Sequence, residues 1–161
     1  MNLEDDQANR NPYPRRRGAV GVVYSGGRFL VIRRSASVVA PLKYCFPGGA
    51  IEPGESEEVA LIRELQEELA VQATPLRRLW CSVTPWNVEL CWWLVQLSPD
   101  CQPTPNPAEV ETVHWLTSKE MLELPELLES NRAFMKAVAT GEIRLDDEPQ
   151  NSTTADLQSG D

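Results

Sequence analysis

The stretch FPGGAIEPGESEEVALIRELQEELA, residues 46–70, contains the two patterns that decide the fold expected for this chain. Its first part is rich in glycine and proline, which is typical of a loop. In its second part apolar residues recur at the spacing of an amphipathic helix, and Ser56 is a residue type that caps helix N-termini. The sequence therefore predicts a helix that begins at Ser56 and ends near Ala70. The side chains expected at the centre of its core-facing side are Ile62, Leu65 and Leu69.

Three glutamates of this helix, Glu64, Glu67 and Glu68, have the spacing i, i+3, i+4 and therefore project from one patch of its surface. Arg63 lies four residues before Glu67 and can support it with a hydrogen-bonded ion pair. A solvated acidic face has the same spacing, so the helix alone does not identify a metal site. The preceding loop favours one, because glycines such as Gly48 let the backbone approach a metal ion and expose carbonyl oxygens to it.

Strand patterns flank the helix on both sides. The glycines at positions 26 and 27 predict a hairpin between two apolar runs, and strands before and after a central helix predict an α/β fold with a mixed sheet covered by helices. The predicted domain spans residues 15–145, between a mobile arm (1–14) and a disordered acidic tail (146–161). The predicted strands are 18–24, 28–34, 44–46, 75–83, 88–97 and 110–116, and the further helices are 119–124 and 126–140.

Residues 49–71 resemble the Nudix box, a signature written G-x5-E-x7-R-E-U-x-E-E-x-G-U, in which U is an aliphatic residue. One position departs from it, because Ala70 stands where the family has its last glycine. If that glycine is a left-handed helix cap, alanine should cost about 1 kcal/mol there, and no metal ligand is lost. The matching positions are Gly49, Glu55, Arg63, Glu64, Leu65, Glu67, Glu68 and Val71.

The resemblance implies a Nudix-type α/β/α sandwich around a mixed sheet and the hydrolysis of a diphosphate bond with Mg²⁺ or Mn²⁺. It implies that Glu67 and Glu68 are metal ligands, that Glu64 is a ligand or the base that activates water, and that Gly48 offers its carbonyl to the metal. It implies that Arg63 acts in catalysis by orienting the glutamates. Glu55 would support the loop or a second ion.

Residues outside the box are candidates for substrate binding and for a further carboxylate. Tyr44 and Trp86 lie near predicted strand ends, where an exposed ring can stack on a nucleobase, although ring packing in the core is the alternative. Arg33 ends a strand upstream of the box and is a candidate for a substrate phosphate or for a surface ion pair. Glu109 is the candidate for the additional catalytic glutamate that family members often carry outside the box, and the alternative is a solvated loop acid.

The net charge of −9 argues against a nucleic-acid partner, since no basic stripe is visible beyond residues 15–17. A negatively charged chain needs metal ions to bridge it to a phosphorylated substrate. The four cysteines include no CxxC pair and there is one histidine, so the spacing does not predict a zinc site. No membrane-length apolar run or signal peptide is visible, and we expect a cytoplasmic protein with reduced thiols.

The sequence thus predicts metal-dependent hydrolysis of a nucleoside triphosphate or a nucleoside diphosphate derivative. ADP-ribose or another nucleotide sugar is the alternative substrate. A non-catalytic, nucleotide-binding regulatory Nudix domain is the alternative of another class, although this box keeps all its glutamates. The expected partner is a small-molecule nucleotide, and a homodimer is possible.

Overall fold

A computed structural model describes residues 15–146 of the chain. The predicted arm, residues 1–14, and all of the predicted tail but its first residue lie outside the described residues. The elements are β1 Arg16–Val22, β2 Tyr24–Ser25, β3 Arg28–Arg34, β4 Tyr44–Cys45, β5 Gly48–Ala50, α1 Glu57–Leu69, β6 Ala73–Val83, β7 Val88–Leu97, β8 Val110–Leu116, α2 Ser118–Glu123 and α3 Glu129–Ala139.

The described strands form two four-stranded sheets. The first has the order β5-β1-β7-β6, and the second joins β2, β3 and β4 with β8 beside β3. Strands β1 and β7 run parallel, whereas the other paired strands are antiparallel, so the predicted mixed α/β architecture is confirmed. Ala19 in β1 pairs with Gly49 on one side and with Cys91 on the other, which puts the first glycine of the box in a sheet.

Helices cover both faces of the first sheet. Trp92 and Trp93 are neighbours in β7 and so point to opposite faces. Trp93 donates to Glu57 of α1, whereas Trp92 stacks on Phe134 of α3 with ring centroids 4.7 Å apart. Two buried clusters result, one under α1 and one under α3. Because a helix lies on each face, the α/β/α layering follows from β7 alone.

The buried side of α1 is rotated from the expected one. Ile62 was predicted to face the core, but it is 45% exposed, and Leu61 is buried instead. Leu65 and Leu69 are buried as predicted. Glu68 lies seven residues after Leu61, hence on the same side of the helix, and this position explains why a carboxylate is buried in the protein.

Two segments differ most from the predicted elements, while other element ends are shifted by one or two residues and the predicted strand 18–24 is divided between β1 and β2. Residues 48–50 were read as part of a loop, but they form strand β5 because their backbone pairs with β1. The last predicted helix begins at Glu129 rather than at residue 126, because the preceding residues extend alongside β4: Tyr44 donates to Glu126 and accepts from Leu128. No helix within residues 15–146 is both long and apolar enough to cross a membrane.

Candidate active site

Helix α1 is capped at both ends as its sequence predicts. The Ser56 hydroxyl accepts a hydrogen bond from the Val59 amide at 3.1 Å. Ala70 has the left-handed conformation, φ 53° and ψ 38°, that the family glycine would adopt easily. The helix boundaries are therefore those of the box motif, with a strained residue at its end.

A proline-rich loop, residues 98–107, bonds the last carbonyls of α1. The Asn106 side chain donates to Glu67 O at 3.3 Å, and the Asn106 backbone N–H donates to Glu68 O at 2.8 Å. The Thr104 backbone N–H donates to Leu69 O at 2.8 Å. These bonds satisfy carbonyls that a helix end leaves unpaired. They also fix the chain just before Glu109, whose amide donates to Asn106 O.

Arg63 joins the carboxylates of the box to the strand before it. Its guanidinium makes two 2.8 Å hydrogen bonds to Glu55, a bidentate arrangement, and one of 3.0 Å to Ala50 O. It also contacts Glu64 at 2.9 Å and Glu67 at 3.4 Å. The hydrogen bonds from Arg63 lower the pKa of Glu55 to about 2. The main partner of Arg63 is thus Glu55 rather than Glu67, the partner that helical spacing suggested.

Gly48 and Gly49, just before and at the start of the box, both stand where a side chain has no space. A Cβ on Gly49 would lie 2.3 Å from the carboxyl carbon of Glu64. A Cβ on Gly48, which has φ +150°, would lie 2.1 Å from Ala19 O. The Gly48 amide donates to Glu68 Oε2 at 3.1 Å. The glycines therefore let strand β5 pack directly against the carboxylates of α1.

Burial disfavours the charged state of two box glutamates. Burial raises the pKa of Glu68 to about 8, against the opposing effect of the Gly48 amide. Burial also raises the pKa of Glu64, although Arg63 counteracts it. Repulsion from Glu109 contributes in the same direction for both residues. Glu109 thus lies beside the box carboxylates, about 40 residues further along the chain.

Glu109 carries a buried oxygen that lacks a partner. Its Oε2 atom has no hydrogen-bond partner among the described residues. An unpaired buried carboxylate oxygen is costly, and a cation compensates it. The donors around it are carboxylate oxygens, which suit a hard divalent ion. The residues present therefore fit Mg²⁺ or Mn²⁺.

The carboxylates are gathered loosely rather than into one tight trio. Within residues 15–146, no three of them have oxygen atoms that all lie within 4.8 Å of one another. Arg63 holds Glu64 and Glu67, while Glu68 turns towards Gly48. Glu67 is the accessible member, with its side chain 50% exposed.

The three predicted substrate-binding residues lie in two places away from this patch. Arg33 pairs with Glu111 at 3.0 Å and stands over the Tyr44 ring at 5.7 Å. Trp86 is 77% exposed on the turn between β6 and β7. Their roles in substrate binding stay predictions. The neighbouring Arg34, by contrast, lies on the side of β3 that faces Glu68, whose pKa it lowers slightly after the effect of burial.

The proline-rich loop at residues 98–107 was predicted from the sequence, but its contact with α1 and the side of β3 on which Arg34 lies were not. Asn106 precedes a proline in a run of polar and proline residues, which indicates a turn but not its contact with α1. Arg33 and Arg34 alternate across a strand, so only one of them faces the box, and which one depends on the register.

Comparison with known proteins gives one family throughout. The sequence model of the NUDIX domain matches residues 13–138. The chain is 29% identical to an NAD-capped RNA hydrolase, NudC, of Deinococcus radiodurans over 85% of the chain and 52% of that protein. It is 36% identical to the 8-oxo-dGTP diphosphatase of Escherichia coli over 48% of the chain and 64% of that protein.

The solved structures agree. The solution structure of the E. coli ORF135 protein superposes with a TM-score of 0.64 and 26% identity, covering 79% of this chain and 90% of that one. The chain spans about half of the NudC relative's length and under two thirds of the diphosphatase's length.

Proposed function

The chain belongs to the NUDIX domain family, and on that premise we propose that it hydrolyses a diphosphate bond in a nucleotide with the help of Mg²⁺. One observation carries the proposal. A buried oxygen of Glu109, with no hydrogen-bond partner in residues 15–146, lies beside Glu64 and Glu68, two carboxylates whose pKa values are raised mainly by their burial. This concentration of negative charge costs free energy unless a cation lies among it.

Glu67, Glu68 and Glu109 would hold the metal, with Glu64 as a further ligand or as the base that takes a proton from the attacking water. When bound, the ion would neutralise charge on the diphosphate and lower the pKa of the attacking water. The carbonyl of Gly48 is a further candidate ligand. Mn²⁺ would fit the same oxygen donors.

The side chains around these carboxylates have supporting tasks. Arg63 fixes Glu64 while Glu55 fixes Arg63, so the box enters the reaction with its carboxylate positions set. The Gly48 amide holds one oxygen of Glu68. Such preorganisation avoids the cost of arranging these groups during the reaction.

The substrate class is a nucleotide with a diphosphate bond. One relative is named for a nucleoside triphosphate and another for NAD-capped RNA, so both free nucleotides and capped RNA ends belong in a test. We favour free nucleotides, because the described surface near the box carries more carboxylates than cations. ADP-ribose remains the alternative among nucleotide sugars.

A panel of nucleotides with product analysis tests the proposal. We expect purified protein to release a nucleoside monophosphate and the matching phosphate product from at least one nucleoside triphosphate or dinucleotide, with Mg²⁺ and not with EDTA. Nucleotide binding without turnover across the panel would instead support a regulatory domain. Turnover that persists in EDTA would overturn the role of the metal.

A further inference from the structure

Cys81, Glu89 and Cys91 form a second cluster of ligand-type side chains, on the first sheet and outside the box. Their donor atoms, two Sγ atoms and one carboxylate oxygen, all lie within 4.8 Å of one another. Within residues 15–146, no other three His, Cys, Asp or Glu side chains meet that distance. The ligand atoms of this cluster therefore lie closer together than those of the box carboxylates do.

Strand pairing brings these residues together. Cys81 of β6 stands directly opposite Cys91 of β7, so both side chains lie on the same face of the sheet. Glu89 precedes Cys91 by two residues in the same strand and therefore shares that face. The absence of a CxxC pair in the sequence does not exclude a thiol pair of this kind.

We propose that Cys81, Glu89 and Cys91 bind a borderline-soft divalent cation, Zn²⁺ in the first place, at a site distinct from the box. Thiolates select such ions over Mg²⁺, and two sulfurs with one carboxylate are donors that zinc accepts. All four cysteines of the chain are free, so neither thiol of the cluster is held in a disulfide. The proposal does not depend on the proposed hydrolase activity.

The geometry closes around an ion with small side-chain movements. Zn–S bonds of about 2.3 Å place tetrahedral donors about 3.8 Å apart, somewhat less than the limit within which these atoms already lie. Cys81 is exposed whereas Cys91 is buried, so an ion has a path from solvent to a partly enclosed site. Glu57, which binds Arg78, also contacts Cys91, so either its carboxylate or a water molecule can supply the fourth ligand.

Arg17 contacts two of the three proposed ligands. Its Nη2 atom donates to Cys91 Sγ at 3.4 Å, and its Nε atom lies 3.8 Å from Glu89. The Arg17 side chain is 39% exposed and can swing into solvent when a cation enters. Arg17 therefore competes with the ion, and its removal should tighten metal binding.

The test is metal binding by the reduced, full-length protein in excess Mg²⁺, which keeps the box carboxylates occupied. Zn²⁺ stoichiometry is measured by native mass spectrometry, and Co²⁺ serves as a second probe through its thiolate charge-transfer absorption. Cys81→Ser is the informative variant, because the residue is exposed and its replacement spares the core. Cys101→Ser is the matched control, since that thiol lies outside the cluster.

We expect one Zn²⁺ per chain for the wild type and for Cys101→Ser. In Cys81→Ser, we expect loss of Zn²⁺ binding and of the thiolate charge-transfer band of the Co²⁺ form. Glu89→Gln should weaken Zn²⁺ binding at least about tenfold, and Arg17→Gln should strengthen it. Equal binding by Cys81→Ser and Cys101→Ser would overturn the proposal. A wild-type protein that binds no Zn²⁺ would also overturn it. The same holds if air oxidation joins the two cysteines in a disulfide but the reduced protein takes up no metal.

Discussion

Gly49 is the residue that lets strand β5 lie against the carboxylate of Glu64. The Cβ that any other residue would add lies 2.3 Å from the carboxyl carbon, far inside van der Waals contact, and the carboxylate is also held by Arg63. The clash therefore cannot be relieved without moving a group of the site. A single glycine thus couples the packing of the sheet to the position of a catalytic candidate.

Gly49→Ala should lower both stability and activity. We expect a loss of about 1–3 kcal/mol from overpacking and a fall in kcat/KM of about a hundredfold from displacement of Glu64. Urea unfolding and steady-state kinetics measure the two effects. Gly18→Ala is the control, because its Cβ would meet the movable end of Leu90 at 3.1 Å and the Gly49 carbonyl oxygen only at an ordinary contact distance of 3.6 Å. Equal activity of the two variants would contradict the account.

The raised pKa of Glu68 predicts how the free energy of unfolding depends on pH when metal ions are removed. Its pKa rises from the ordinary 4.5 to about 8, chiefly through burial, so the folded state holds a proton that the unfolded chain releases earlier. The stabilising contribution is complete below about pH 4.5 and is lost as the pH rises through about 8. In EDTA, the free energy of unfolding should therefore fall between these values.

Chemical unfolding in EDTA across this range checks the pH prediction. Glu68→Gln cannot titrate at this position, so its stability should fall less over the same interval. Parallel pH profiles for the wild type and Glu68→Gln would contradict the assignment of the effect to Glu68.

Helix α1 ends on a strained residue. Ala70 adopts φ 53°, a conformation that costs an L-residue with a Cβ about 1–2 kcal/mol more than it costs glycine. Ala70→Gly should therefore stabilise the protein by about 1 kcal/mol after the added chain entropy of glycine is subtracted. Ala60→Gly, inside the same helix, should destabilise it. Thermal unfolding of both variants is the measurement, and a loss of stability in both would refute this reading of the cap.

The helix was the element that sequence specified best, and its surroundings were the least predictable. The cap at Ser56, the end at Ala70 and the box spacing follow from local chemistry. Strand β5 did not, because two glycines and an alanine have no strand propensity and become a strand only by pairing with β1. Ile62 was misplaced because one rotational step of the helix separates it from Leu61, and only tertiary packing decides between them.

Across the whole molecule, the sequence predicted the layers but not the contacts between distant segments. Apolar side chains alternate between the two faces of β7, and this alternation is enough to predict that both faces are covered. The approach of Glu109 to the box depends on Asn106 bonding the end of α1, a contact that no periodicity encodes. The pairing of Cys81 with Cys91 likewise depends on the register of β6 against β7. The functional residues of one helix could be predicted from local sequence, whereas contacts between residues far apart in the chain could be identified only from the structure.

The rate of Mg²⁺-dependent hydrolysis in carboxylate variants tests the central claim most directly. With a nucleotide that the wild type cleaves, we expect Glu68→Gln and Glu109→Gln to lower kcat/KM by about a hundredfold or more and to raise the Mg²⁺ concentration needed for half-maximal rate. Glu123→Gln is the matched control, since Glu123 is an exposed glutamate of α2 that pairs with Lys119, and the variant should stay within about threefold of the wild-type rate. Wild-type rates in Glu68→Gln and Glu109→Gln would contradict the account.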